Sequence, residues 1–140
     1  AAPGNMPSRI QVHVSRNGGK APQTPAEIAR CIFESLADAY ALAIGEIELA
    51  TGRKVQRLNI VGGGSQNTLL SQLAADRCGI EVLAGPVEAT AIGNLMAQAQ
   101  NHFSSLGGFD LSNLSGQRAF INHNFAPKKY QPSKDSNGKH

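Results

Sequence analysis

With 140 residues, 41% of them hydrophobic and 16% charged, the chain has the size and apolar fraction of one small domain. No run approaches the roughly 18–20 consecutive apolar residues of a membrane span, and no basic-then-apolar leader opens the sequence, so a cytoplasmic protein away from membranes is expected. The net charge of +3 comes from the last fifteen residues, where Lys128, Lys129, Lys134 and Lys139 face only Asp135; residues 1–125 balance at zero, and no nucleic-acid partner is expected.

Residues 1–23 are expected as a loop with at most one short helix, capped by Asn5, with Pro7 near its first position and a break at 15–20. The Gly19-Lys20 pair is no phosphate loop, because Ala21 replaces the required Ser or Thr and Val14 the upstream Gly. Residues 24–51 form the clearest element. Thr24 and Glu27 make a capping box around Pro25, and Gly52 supplies a left-handed stop. Between them Ile28, Ile32, Leu36, Tyr40 (or Ala39), Ala43, Ile47 and Ala50 recur at helical spacing as one apolar stripe. Gly45 inside this helix costs ~1 kcal/mol against Ala, and a close contact is expected there.

A short buried strand over 55–61, carrying Leu58, Ile60 and Val61, runs into Gly62-Gly63-Gly64-Ser65. A helix over 67–78 follows, with Leu69, Leu70, Leu73 and Ala74 inward and Gly79 closing it. A second strand over 80–83 leads through Gly85-Pro86 to a helix over 87–103. Its inward face is expected to be Ile92, Leu95, Met96, Ala99 and Phe103, beside a small stripe of Ala89, Gly93 and Ala97. From 107 to 130 periodicity vanishes; Phe109, Phe120, Phe125 and Tyr130 are too irregularly spaced for a helix, and Phe120, Ile121 and Phe125 are expected to pack back on the body. Residues 131–140 read as a disordered polar tail. Helix–strand–helix–strand–helix is an α/β pattern with a parallel strand pair covered on both faces. Two strands leave two open edges, so the chain is expected to be part of a larger fold, incomplete on its own.

The segment Asn59-Ile60-Val61-Gly62-Gly63-Gly64-Ser65-Gln66-Asn67 bears the chemistry. Glycines between a strand and a helix let backbone approach a ligand, and the helix start favours an anion such as phosphate. The dinucleotide fingerprint is not met, since Asn67 stands where its third Gly belongs. The same glycines equally serve a helix packing closely on its strand, and on pattern alone both readings stay open. Other chemistry is weak. His13, His102, His123 and His140 lack metal-ligand spacing, and Ser65 lies outside a nucleophile elbow. Glu88 reads as a helix cap, Asp38 and Asp76 as solvated charges, and Cys31 and Cys78 as reduced core thiols. No catalytic and no metal-binding residue is expected.

The run NIVGGGSQNTLLSQLAADRCGI followed by AGPVEATAIGN resembles the C-terminal domain of the FGGY carbohydrate kinases, and APGNMPSRIQ and TPAEIARCIFESLA resemble the same family in the same order. The resemblance spans about residues 1–103, its most specific parts being GGGSQN and GPVEATAIGN. It implies the C-terminal part of a ribonuclease-H-like, actin-like ATPase domain, whose partner half closes with it over ATP and a sugar. In the family's L-rhamnulose branch the γ-phosphate passes to the 1-hydroxyl of that sugar. Matched residue by residue, the nucleotide's phosphate–ribose side falls on Gly63, with Gly62 and Gly64 shaping the loop; adenine falls near Asn67, and Gln66 is its neighbour.

The family's catalytic Asp and N-terminal phosphate loop have no counterpart, since Asp38, Asp76, Asp110 and Asp135 all lack the flanking residues. The implied partners are therefore ATP or ADP, the remainder of a kinase chain, and through it Mg²⁺ and L-rhamnulose. The 140 residues alone are expected to be inactive. Two alternatives stand beside this reading: a non-catalytic nucleotide-binding or protein-interaction module, and a sibling kinase for another sugar.

Overall fold

The computed structural model describes residues 5–133. Helix α1 (Met6–Arg16) starts where Asn5 Oδ1 accepts the Ser8 N–H at 3.5 Å, with proline in its first turn. Helix α2 (Pro25–Thr51) carries the expected capping box. The Thr24 hydroxyl accepts from Glu27 N–H at 3.2 Å, and the Glu27 carboxylate accepts from the N–H groups of Thr24 and Gln23 at 3.1 and 2.6 Å. Gly52, at φ 65°, ends it. Its 27 residues span about 40 Å.

Strands β1 (Arg57–Ile60) and β2 (Glu81–Ala84) are parallel, Arg57 opposite Glu81 and Ile60 opposite Ala84, and helix α3 (Thr68–Cys78) connects them. One core cluster joins Ile60, Val82 and Ala84 from these strands to Ala74 and Ala75 of α3, with Tyr40 of α2 and Leu58 packed against it. Helix α4 (Ala89–Ala99) follows, ending earlier than its sequence pattern suggests.

The C-terminal third departs from expectation. A hairpin of β3 (Ser105–Leu106) and β4 (Phe109–Asp110) leads to helix α5 (Leu114–Asn124), where no helix was expected. The Asn113 side chain caps α5 by accepting from Gly116 N–H at 2.8 Å. Phe109 meets Phe120 edge-to-face at 5.7 Å, and a second core cluster gathers Ile92, Met96 and Leu111 with Phe109, Phe120 and Ile121 against it. Phe120 and Ile121 thus pack back on the body, whereas Phe125 stays exposed. Strand β5 (Lys128–Tyr130) then pairs antiparallel with β2, setting Tyr130 opposite Val82 and burying it in the first cluster. The sheet is therefore mixed, in the order β1–β2–β5.

The first residues of the expected tail are held: Gln72 Nε2 donates to Gln131 O at 2.8 Å, and Ser133 N–H donates to the Asp76 carboxylate at 2.8 Å. Asp76 is thus a hydrogen-bond acceptor where a free solvated charge was expected, while Asp38 pairs with Arg77 at 3.4 Å. The rest of the expected disordered tail, with Asp135 and His140, lies outside the described residues.

Burial also corrects three helix faces. On α2 the covered face holds Ala37, fully buried, with Phe33, Tyr40, Ala41 and Ile44 half-buried, while Ile32, Leu36 and Ile47 of the expected stripe are exposed. This helix is apolar around most of its circumference, so spacing alone does not select the side that meets α3. On α3, Leu70 and Ala74 face inward but Leu69 does not; on α4, Ile92 and Met96 are buried while Leu95 is exposed, as is Phe103 beyond the helix end. Cys31 and Cys78 are free and only half-buried, not core thiols, and burial pushes the Cys78 thiol up from its ordinary value.

Candidate functional site

Because β1 and β2 are parallel, their carboxyl ends open on the same edge of the sheet, and the two loops that leave them lie side by side. Such crevices at strand carboxyl ends are the usual ligand sites of α/β sheets. Val61 continues the strand direction, and Gly62–Gln66 then coil into a single 3₁₀ turn before α3. Gly62 takes φ +71°, a left-handed conformation closed to most side chains. Its N–H donates to Pro86 O at 3.4 Å, and Gly85 N–H donates to Ile60 O at 2.8 Å, so the 85–88 loop is tied to the glycine turn. Ser65 is buried inside the turn, where its hydroxyl donates to Gly62 O at 2.6 Å.

The other two glycines of the turn lack the left-handed φ of Gly62. A Cβ on Gly64 would make ordinary contact with Ile60 Cγ2 at 3.7 Å. A Cβ on Gly63 would meet nothing within 4 Å, and its φ is not left-handed. Both residues are exposed. The chain's own packing therefore gives no reason for Gly63 to lack a side chain.

Asn67 is half-buried at the junction and caps α3: its Oδ1 accepts Leu70 N–H at 2.9 Å, and its carbonyl accepts the Ser71 N–H and hydroxyl at 3.1 and 3.0 Å. One N–H group that an anion at the helix start would use, that of Leu70, is thus occupied by Asn67. The open backbone of the site is the turn preceding the helix. Gln66 is exposed on that turn.

Glu88 stands at the N-cap of α4 without a side-chain capping bond, contrary to the cap expected for it. The sequence reading left Pro86 and Val87 without a role. Pro86 O bonds Gly62, and Val87 O lies 4.0 Å from the Cβ position of Gly62, so both brace the turn. The signal was present in the GPVEATAIGN run, but only the parallel register places it beside the glycines.

Elsewhere, His13 sits 3.0 Å from Asn17 Nδ2, and His123 lies against Phe109 with centroids 5.4 Å apart. Among the described residues no three His, Cys, Asp or Glu side chains converge to hold a metal ion, and no helix is long and apolar enough to cross a membrane. A groove of about 870 Å³ between α1 and α2 is lined by residues such as Met6, Val12, Cys31, Ile32 and Leu36 and shares none with the glycine turn.

The sequence pattern of the FGGY family of carbohydrate kinases, C-terminal domain, matches residues 1–102. Rhamnulokinase of Halalkalibacterium halodurans is 43% identical over 128 residues, covering 91% of this chain and 26% of the relative. Rhamnulokinase of an Enterobacter species is 42% identical over 130 residues, covering 93% and 25%, and that of Klebsiella pneumoniae subsp. pneumoniae 41% over 134 residues, covering 96% and 26%. The chain thus spans about a quarter of the length of the relatives it matches. Through residues 1–102, which hold the glycine turn, the chain belongs to the FGGY family of carbohydrate kinases as its C-terminal domain.

Proposed function

We propose that this chain forms one wall of the nucleotide site of a cytoplasmic, ATP-dependent sugar kinase that phosphorylates the 1-hydroxyl of L-rhamnulose. The observation that carries the nucleotide reading is Gly63: an exposed glycine on a braced turn, with no steric or conformational need for glycine inside the chain, is what close approach of a ligand to backbone requires. The relatives bearing the name rhamnulokinase support the choice of sugar.

In this reading Gly62, Gly63 and Gly64 lie against the phosphate–ribose side of ATP, with Asn67 and Gln66 toward the base. The sugar hydroxyl oxygen bonds to the γ-phosphorus as the bond from that phosphorus to the β–γ bridging oxygen breaks, and ADP departs with the bond's electron pair. The hydroxyl proton goes to a carboxylate in the rest of the kinase, since no acid here carries the family's flanking residues. Magnesium would neutralise phosphate charge, and in this reading its protein ligands belong to the remainder of the kinase. What this chain contributes is a rigid wall, closure against water and a fixed nucleotide position. Alone it transfers no phosphate.

The test is reconstitution. The complementary three quarters of a related rhamnulokinase, supplied as a separate chain, should form ADP from ATP only when this chain and L-rhamnulose are both present. Gly63→Val should then raise the KM for ATP at least tenfold and leave the sugar KM unchanged. An unaltered ATP KM would remove Gly63 from the site, and turnover with another sugar but not L-rhamnulose would reassign the substrate.

A further inference from the structure

The apolar stripe that periodicity marks on α2 faces outward. Ile32, Leu36, Ala39, Ala43, Ile47 and Ala50, three or four residues apart, are all exposed. Together they run about 27 Å along one side of the helix. At its N-terminal end the stripe enters the groove between α1 and α2, where Ile32 and Leu36 share the lining with Met6 and Val12 of α1. Helix α1 has no buried residue. At 11 residues it is shorter than the roughly 12–15 that an isolated helix needs in water, so packing must hold it in place. The charge of the groove is one-sided. Arg9, His13 and Arg16 line it and no carboxylate does, and neither arginine has an ion pair among the described residues.

We propose that this groove and stripe seat one amphipathic, acid-bearing helix from the remainder of the kinase, with its apolar face along α2 and its carboxylates beside α1. Three observations select that occupant. The chain spans about a quarter of its relatives' length, so most of such a kinase lies outside it. A stripe recurring every three or four residues is matched by another helix, whose side chains repeat at the same interval, and not by a strand, which alternates every second residue. The unpaired guanidinium groups call for carboxylates once the groove is covered, because a cation taken out of water without a partner is costly. The proposal rests on the chain being one part of a larger kinase and is independent of the nucleotide wall.

The experiment co-expresses this chain, with the photo-crosslinker p-benzoylphenylalanine in place of Leu36 or of Ala43, and the complementary three quarters of the Halalkalibacterium halodurans rhamnulokinase. Mass spectrometry should find one segment joined to both positions. That segment should be apolar at every third or fourth residue, with Asp or Glu near the point joined to Leu36. Arg9→Gln with Arg16→Gln should weaken association of the two chains about three- to tenfold, most at low salt, and leave the isolated chain's melting temperature unchanged. Crosslinks to a second copy of this chain, to two separate segments or to a segment without acids overturn the proposal. So do two chains that never associate, or an arginine variant that associates as tightly as the parent. A seated helix in a complex that binds no ATP supports the proposal and removes the nucleotide reading alone. Turnover of ATP in a complex that crosslinks at neither position overturns the proposal and leaves that reading standing.

Discussion

At φ +71° Gly62 holds a backbone shape that an L side chain enters at a cost of roughly 1–2 kcal/mol, whereas its neighbour Gly63 has ordinary dihedrals and open space where a Cβ would go. The two alanine variants should therefore separate folding from binding. Gly62→Ala is expected to lower stability by about that amount; Gly63→Ala should melt within roughly 0.5 kcal/mol of the parent while its nucleotide affinity falls. Thermal denaturation and a nucleotide titration of both variants check this. A second residue-scale expectation concerns Tyr130, whose hydroxyl is buried with no hydrogen-bond partner among the described residues. Tyr130→Phe removes that unpaired group and should raise stability by about 1 kcal/mol, read from denaturant unfolding. The glycine run was legible in the sequence as a unit. Which glycine serves the backbone and which serves a ligand was not, because the answer depends on Ile60, Pro86 and Val87 closing around one side only.

Among the elements, the ends of α1, α2 and α3 were legible, whereas the ends of α4 and α5 and the helix faces were not. Asn5, Thr24 with Glu27, Gly52, Asn67 and Gly79 all stand at the ends their chemistry marks, since a cap involves residues three or four apart. Helix α5 escaped because its sequence, LSGQRAFINHN, carries few apolar residues, and its place is set by the Asn113 cap and by Phe120 and Ile121 meeting the second core cluster. Gly116 in its first turn lies so close to β4 that an added Cβ would overlap the Asp110 carbonyl. Gly116→Ala should cost about 3 kcal/mol and unfasten α5 from the hairpin, visible as early hydrogen exchange across 105–124.

The two ends of α2 also set a pH dependence. Backbone N–H groups of Gln23 and Thr24 hold the Glu27 carboxyl below its ordinary 4.5, and Lys54 with the Val55 N–H does the same for Glu48. Both carboxyls are ionised more readily in the folded chain, so their contribution is complete above pH 4.5 and is lost as pH falls below it. The melting temperature should decline on acidification below that point, and Glu27→Gln with Glu48→Gln should flatten the decline.

Across the whole molecule, the large side chains left in solvent include Ile32, Leu36 and Ile47 on one flank of α2 and Leu42 and Leu49 on the other, and the outer edge of β1 has no partner strand among the described residues. An unpaired strand edge and an apolar helix flank each suit docking of the remainder of the proposed kinase. Leu36→Lys with Ile47→Lys should leave the chain's own melting temperature nearly unchanged, because both residues are already exposed, yet reduce reconstituted kinase activity at least tenfold. Activity equal to the parent's would place the interface elsewhere.

By itself the sequence determined the local events: the helix ends, the parallel strand pair with its glycine turn, and the need for more sheet than two strands supply. The helix ends follow from contacts between residues close in the chain, and the strand pair from two short apolar runs in strand–helix–strand order, whose crossover favours parallel pairing. Tertiary structure alone decided that β5 pairs with β2 while β1 has no second partner among the described residues, which side of α2 is covered, and that Pro86 braces Gly62. Each of these joins segments 20 or more residues apart, and a helix apolar on several sides or a three-residue strand carries too little pattern to announce its partner.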